Sequence, residues 1–158
     1  YLAALKLILM YHMKPTDAVA LYNRYIGDWG GTSTSYRFEA VKNGKVVKVV
    51  RKEPVTSMHL SAEPDHQNLT ERHTYEAAEI RIRALDQNDN IVSFYQEPVV
   101  LSTEGPIAII GPEIISLQGG MGGTYVRTTG EEGVGILKIK AAQMEEQRIQ
   151  FEVKNDRK

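Results

Sequence analysis

Between Ala78 and Ala84 every second residue is apolar and every residue between them is charged: Ala78, Ile80, Ile82 and Ala84 alternate with Glu79, Arg81 and Arg83. A side-chain period of two belongs to a half-buried strand, because neighbouring side chains point to opposite faces. The pattern recurs. Met58, Leu60 and Ala62 alternate with polar residues, and Val99 and Leu101 follow. Ile107 to Ile110, then Ile115 and Leu117, then Tyr125 to Thr128 continue the series. Leu137, Ile139 and Ala141 alternate with Lys138 and Lys140, and Ile149, Phe151 and Val153 close it. Turn residues such as Gly130-Glu131-Glu132-Gly133 space these runs. From about Pro54 onward the chain therefore reads as seven or eight short strands.

The N-terminal third reads differently. Tyr1 to Met13 is apolar except for Lys6 and His12, which predicts a helix of about three turns that wants burial on every side. Its neighbour is expected in a part of the protein outside this chain. The stretch is too short to span a bilayer and lacks the basic start and cleavage site of a signal peptide. Pro15 interrupts it, Thr16 is placed as an N-cap with Asp17 in the first turn, and Ala18, Leu21, Tyr22 and Tyr25 keep helical spacing up to Gly27. Asn43-Gly44 is the preferred type I′ pair of a hairpin over Tyr36 to Arg51. Folding about it sets Phe38 opposite Val49, Glu39 opposite Lys48 and Ala40 opposite Val47. The expected fold class is mainly β: an immunoglobulin-like β-sandwich over 54–158, preceded over 1–53 by two short helices and a β-hairpin.

Composition narrows the chemistry. The formal net charge is −1 with 25% charged residues, so there is no basic face to release counterions from phosphate, and nucleic acid is not an expected partner. No membrane-spanning segment is apparent. The chain has no cysteine, which removes disulfides, thiolate zinc sites and a cysteine nucleophile.

Asp86-Gln87-Asn88-Asp89-Asn90 clusters oxygen ligands in the manner of a calcium loop, with Asp86, Asn88 and Asn90 as candidate metal ligands. Ile91 stands where an EF-hand needs glycine, and the flanks read as strands, so a turn rich in Asp and Asn is the plainer reading. Gly119-Gly120-Met121-Gly122-Gly123 has the glycine content of a phosphate loop but no following Gly-Lys-Ser/Thr, and reads as a close turn. His12, His59, His66 and His73 show no metal-ligand spacing. Trp29, Tyr36 and Tyr95 offer flat faces on which sugar rings stack, and Trp29 and Tyr36 are the candidate substrate-binding residues. No catalytic residue is assigned: glycosidases need two carboxylates across a cleft, and a small sandwich offers no obvious cleft.

Three stretches carry a resemblance. They are Tyr25 to Lys48, with its Gly-Asp-Trp-Gly-Gly core; Ile80 to Asn90 with Glu97-Pro98-Val99; and Glu104 to Pro112 followed by Ser116 to Gly130. In this order and spacing they resemble the C-terminal region of bacterial glycoside hydrolase family 2 enzymes of the β-galactosidase-like kind. The resemblance implies a parent with a catalytic (β/α)₈ barrel that carries the acid/base and nucleophile glutamates. Nothing in this chain matches the barrel. The implied role is a non-catalytic accessory module that packs on the barrel and other parent domains or shapes the rim of the cleft, in the bacterial cytoplasm rather than exported. Two rivals are a carbohydrate-binding module and a calcium-binding adhesion-type module.

Overall fold

A computed structural model of the chain describes residue 10, residues 14–25 and residues 34–156. The expected helix over Tyr1 to Met13 falls outside the described residues except at Met10, as do Gly27 and the loop that carries Trp29. The chain divides into two compact units, Tyr1–Pro54 and Val55–Lys158.

The first unit contains helix α1 (Pro15–Tyr25) and a hairpin of β1 (Tyr36–Lys42) and β2 (Lys45–Lys52). Pro15 does not precede the helix under a Thr16 cap, as the sequence suggests. It is the first helical residue. That position has no intrahelical partner for an N–H, so proline loses nothing there and its fixed φ is already helical. The amide of Asp17 donates to the carbonyl of Lys14 (2.9 Å), which closes the first turn.

At the hairpin tip Asn43 (φ +52°) and Gly44 (φ +73°) both adopt the left-handed region, as a type I′ turn requires. The register departs from the expected one. Lys42 faces Lys45 and Val41 faces Val46, but beyond a bulge Ala40 faces Lys48, Glu39 faces Val49 and Phe38 faces Val50. The bulge leaves Val47 without a partner and moves Val49 to the face opposite Phe38. Two residues on one strand oppose one on the other there, so no simple count from the turn finds the pairs.

The second unit is a β-sandwich of nine strands among the described residues. One sheet is four-stranded, in the order β3 (Met58–Pro64), β5 (Ala77–Asp86), β9 (Met121–Thr128), β7 (Ile107–Ile110), and is antiparallel throughout. The other is five-stranded, in the order β4 (Asn68–Glu71), β11 (Gln147–Asn155), β10 (Gly133–Ala141), β6 (Pro98–Glu104), β8 (Ile114–Ser116). It is antiparallel except for the parallel β4–β11 pair. The strand beyond the expected seven or eight is β4. It buries Leu69 completely and has too few apolar residues to show a period. Strand β9 also starts earlier than Tyr125, because its first turn is built from glycines.

Alternation becomes burial. Ile80, Ile82, Ala84 and Val126 point inward from the first sheet, and Leu69, Val99, Leu101, Leu137, Ile139 and Phe151 from the second, into one cluster. Fully burying side chains of this size stabilises by about 1.5–3 kcal/mol each before entropy is charged. The charged residues between them face out: Arg81 meets Glu79 at 3.0 Å and Arg83 meets Glu63 at 3.5 Å.

Ile82 has 0% exposure, in the middle of β5, paired on both sides. Replacing Ile82 by Ala is expected to destabilise the sandwich by about 2–5 kcal/mol, the usual range for a cavity-forming truncation. Urea denaturation of wild type and variant checks this; a loss below about 1 kcal/mol would mean that the β5 centre is not the packed core.

Candidate functional site

Tyr36 opens β1 on the hairpin, more than half exposed, with its ring stacked on Phe38 (centroids 6.4 Å apart, planes 23° apart). Arg37 and Glu39 pair at 2.6 Å on the other face. The hairpin's side chains are exposed from end to end except Val50, which is half-buried. Phe38, Val41, Val46, Val47 and Val49 are all left in the open.

Asp86 and Asn90 come together at the end of β5, with Asn88 between them. Asp86 is 5% exposed. Its Oδ1 accepts from the amides of Asn88 (2.8 Å) and Asn90 (2.9 Å), and both carboxylate oxygens accept from Asn90 Nδ2 (3.1 and 3.0 Å). The amide of Asp86 donates to the Asn90 carbonyl and the amide of Asp89 to the Asp86 carbonyl. Asp89 takes a left-handed φ of +60°, which aspartate tolerates. The carboxylate thus meets N–H donors from within its own loop, whereas calcium needs a shell of oxygens. Among the described residues no group of three or more His, Asp or Glu side chains is arranged to hold a metal ion.

Asp65 sits at the corner after β3. Its carboxylate accepts from the amides of His66 (2.8 Å) and Glu79 (3.0 Å), and His66 Nδ1 lies 2.9 Å from it. Burial pushes the carboxyl's pKa up, but the two amide bonds and the nearby His66 outweigh it and hold the group below its ordinary value. His59 lies 3.3 Å from Asp89, both exposed. The glycine run forms the entry to β9, with Gly119 and Gly120 at positive φ. A Cβ on Gly120 would lie 2.4 Å from the Val92 carbonyl oxygen, so glycine is required there on both counts.

A cavity of about 420 Å³ lies beside the loop between β5 and β6, lined by Met58, Phe94, Tyr95, Gln96, Glu97 and Gln143. Phe94 is 68% exposed, while Tyr95 is buried and joins the core cluster. Of this group sequence reasoning names Tyr95 for its flat ring, Glu97 within the resemblance and Met58 as a strand residue, and does not bring them together. The rest could not be found from spacing, because Gln143 arrives from the β10–β11 turn.

The chain is 35% identical over 135 residues to a β-galactosidase of Rhizobium radiobacter, a match that covers 80% of this chain and 92% of that protein. This chain belongs to the β-galactosidase family. A second relative, a β-galactosidase of Rhizobium meliloti, is 34% identical over 99 residues. There the match spans 61% of this chain but 13% of the relative's length. Among solved structures, a glycosyl hydrolase family 2 member from Bacteroides cellulosilyticus superposes with a TM-score of 0.62 at 16% identity. It shares the fold over 76% of this chain and 17% of its own. No family model matches the chain.

Two outcomes follow for this family member. Asp86→Ala should cost about 1–3 kcal/mol, because the substitution leaves part-buried amides of the loop without their acceptor. Chemical denaturation reads it, and a neutral result would show that the loop does not depend on the carboxylate. The lowered pKa of Asp65 means that its contribution is fully present above the unfolded value of about 3.9 and is lost as pH falls through the folded value. The melting temperature should therefore drop more steeply below about pH 4 in wild type than in Asp65→Asn. Coincident acid profiles would contradict it.

Proposed function

We propose that this chain is a non-catalytic, C-terminal accessory module of a family 2 glycoside hydrolase of the β-galactosidase kind, which acts on O-glycosidic bonds in carbohydrates. The observation that carries the reading is the hairpin. A two-stranded hairpin is marginal by itself in water. This one exposes Phe38, Val41, Val46, Val47 and Val49. Such a surface fits a ribbon that lies against another domain of the same enzyme, the catalytic barrel first among them. The small share of the longer relative and of the solved enzyme that this chain spans supports the same reading.

Residues 1–53 in this reading end a preceding domain, and residues 54–158 form an immunoglobulin-like sandwich. The finer fold assignment rests on topology. The chain passes from β3 in one sheet to β4 in the other, and β4 then pairs in parallel with the last strand, β11. Tyr36 belongs to the docking ribbon, where its ring pairs with Phe38. The module contributes packing and the rim of the substrate cleft, and the reacting carboxylates are supplied by the barrel.

The test compares the isolated chain with the full enzyme. Pure chain should give no turnover of a nitrophenyl β-galactoside. The pair Phe38→Ser and Val47→Ser should leave the melting of the sandwich within the isolated 158-residue chain unchanged. In the full-length enzyme the same pair should destabilise by about 1.5–3 kcal/mol per side chain that docks. Turnover by the isolated chain, or a full enzyme indifferent to both substitutions, would overturn the proposal.

A further inference from the structure

The cavity beside the β5–β6 loop has the elements of a small-molecule site. Its volume, about 420 Å³, lies within the range of such sites. Phe94 lines it and is largely exposed. Glu97, Gln96 and Gln143 bring one carboxylate and two carboxamides to the same wall. Tyr95 lines it too, and its hydroxyl is buried with no hydrogen-bond partner among the described residues. A buried hydroxyl in that condition is costly, and it is closed off from the cavity, so Tyr95 supports the wall and does not meet a ligand. Burial raises the Tyr95 pKa, and the negative charge of Glu97 adds to the rise.

The loop is held before any ligand arrives. The Tyr95 amide donates to the Val92 carbonyl (3.0 Å), the Gly120 amide to the Tyr95 carbonyl (2.9 Å) and the Leu117 amide to the Glu97 carbonyl (3.3 Å). Gln143 is fixed in a left-handed turn at φ +62°. Preorganisation of this kind lowers the ordering cost of binding.

We propose that this cavity binds a hexopyranosyl unit of a carbohydrate, with the apolar face of the ring on Phe94 and its hydroxyls bonded to Glu97, Gln96 and Gln143. The lining itself asks for a ring that is flat and apolar on one side and rich in hydroxyls at its rim. A phosphate or other anion is disfavoured by Glu97, and a purely apolar ligand would strand the carboxamides. The choice of a galactoside as first probe rests on the functional reading above. The site does not, and its failure would leave the hairpin experiment untouched.

The 158-residue chain should be titrated with methyl β-galactopyranoside and a β-linked galacto-oligosaccharide, followed by calorimetry or NMR. Saturable binding is expected, weakened about tenfold or more by Phe94→Ala and by Glu97→Gln. Phe94 is exposed, so its variant should keep the wild-type melting temperature. Tyr95→Phe serves as the control: the free chain should melt higher, because the unpaired hydroxyl is gone, while sugar affinity stays unchanged. Absence of saturable binding to both probes, or binding indifferent to Phe94→Ala and Glu97→Gln, would overturn the proposal.

Discussion

Everything in the second unit depends on two inner faces closing over one apolar cluster. Ile80 and Ile82 from one sheet and Leu137, Ile139 and Phe151 from the other are almost wholly removed from water. Burial of this kind has no direction of its own. Direction comes from the alternation, which lets each strand turn apolar side chains one way only, and from the corner after β3. At that corner the chain leaves one sheet for the other. Asp65 accepts from the amides of His66 and Glu79, and its own amide donates to the Glu79 carbonyl. A short polar clasp thus fixes where β4 departs to lie against β11.

Where one face is buried and the other wet, the sequence reads well. Strands β5, β10 and β11 stand where the period of two places them. The Asn43-Gly44 turn is equally legible, since few residue pairs accept two left-handed positions in a row. What did not show has a physical cause in each case. Strand β4 commits a single leucine to the core, so periodicity had nothing to count. The hairpin register is displaced by a bulge, and the valines around it are too alike for the pattern to reveal which one is extra. Pro15 reads as a break and begins a helix, because proline suits both places.

The two units differ in what they leave outside. On the sandwich the outward positions of β5 are charged and paired with neighbours. On the hairpin the apolar Phe38, Val47 and Val49 stand exposed beside the charged Arg37, Glu39 and Lys48. Charge at an outward position costs nothing in water and resists association, whereas an exposed valine gains only when something covers it. The two units therefore differ in how their exposed apolar side chains are accompanied by paired charge.

The glycine run at 119–123 ties these threads together. It shares only its glycine content with a phosphate loop and reads as a close turn, and its work is steric. Gly120 comes so close to the Val92 carbonyl that any side chain would collide, and it donates its amide to Tyr95 while accepting from Ala84. Val92 in turn donates to the Ala84 carbonyl. Strand β5, the glycine turn and the 92–97 loop are thus laced by main-chain bonds that only a residue without Cβ permits. Phe94, Tyr95 and Glu97 hang from that lacing, so their spacing around the cavity is inherited from the core. A sugar site in that cavity would owe its rigidity to residues that never touch the ligand.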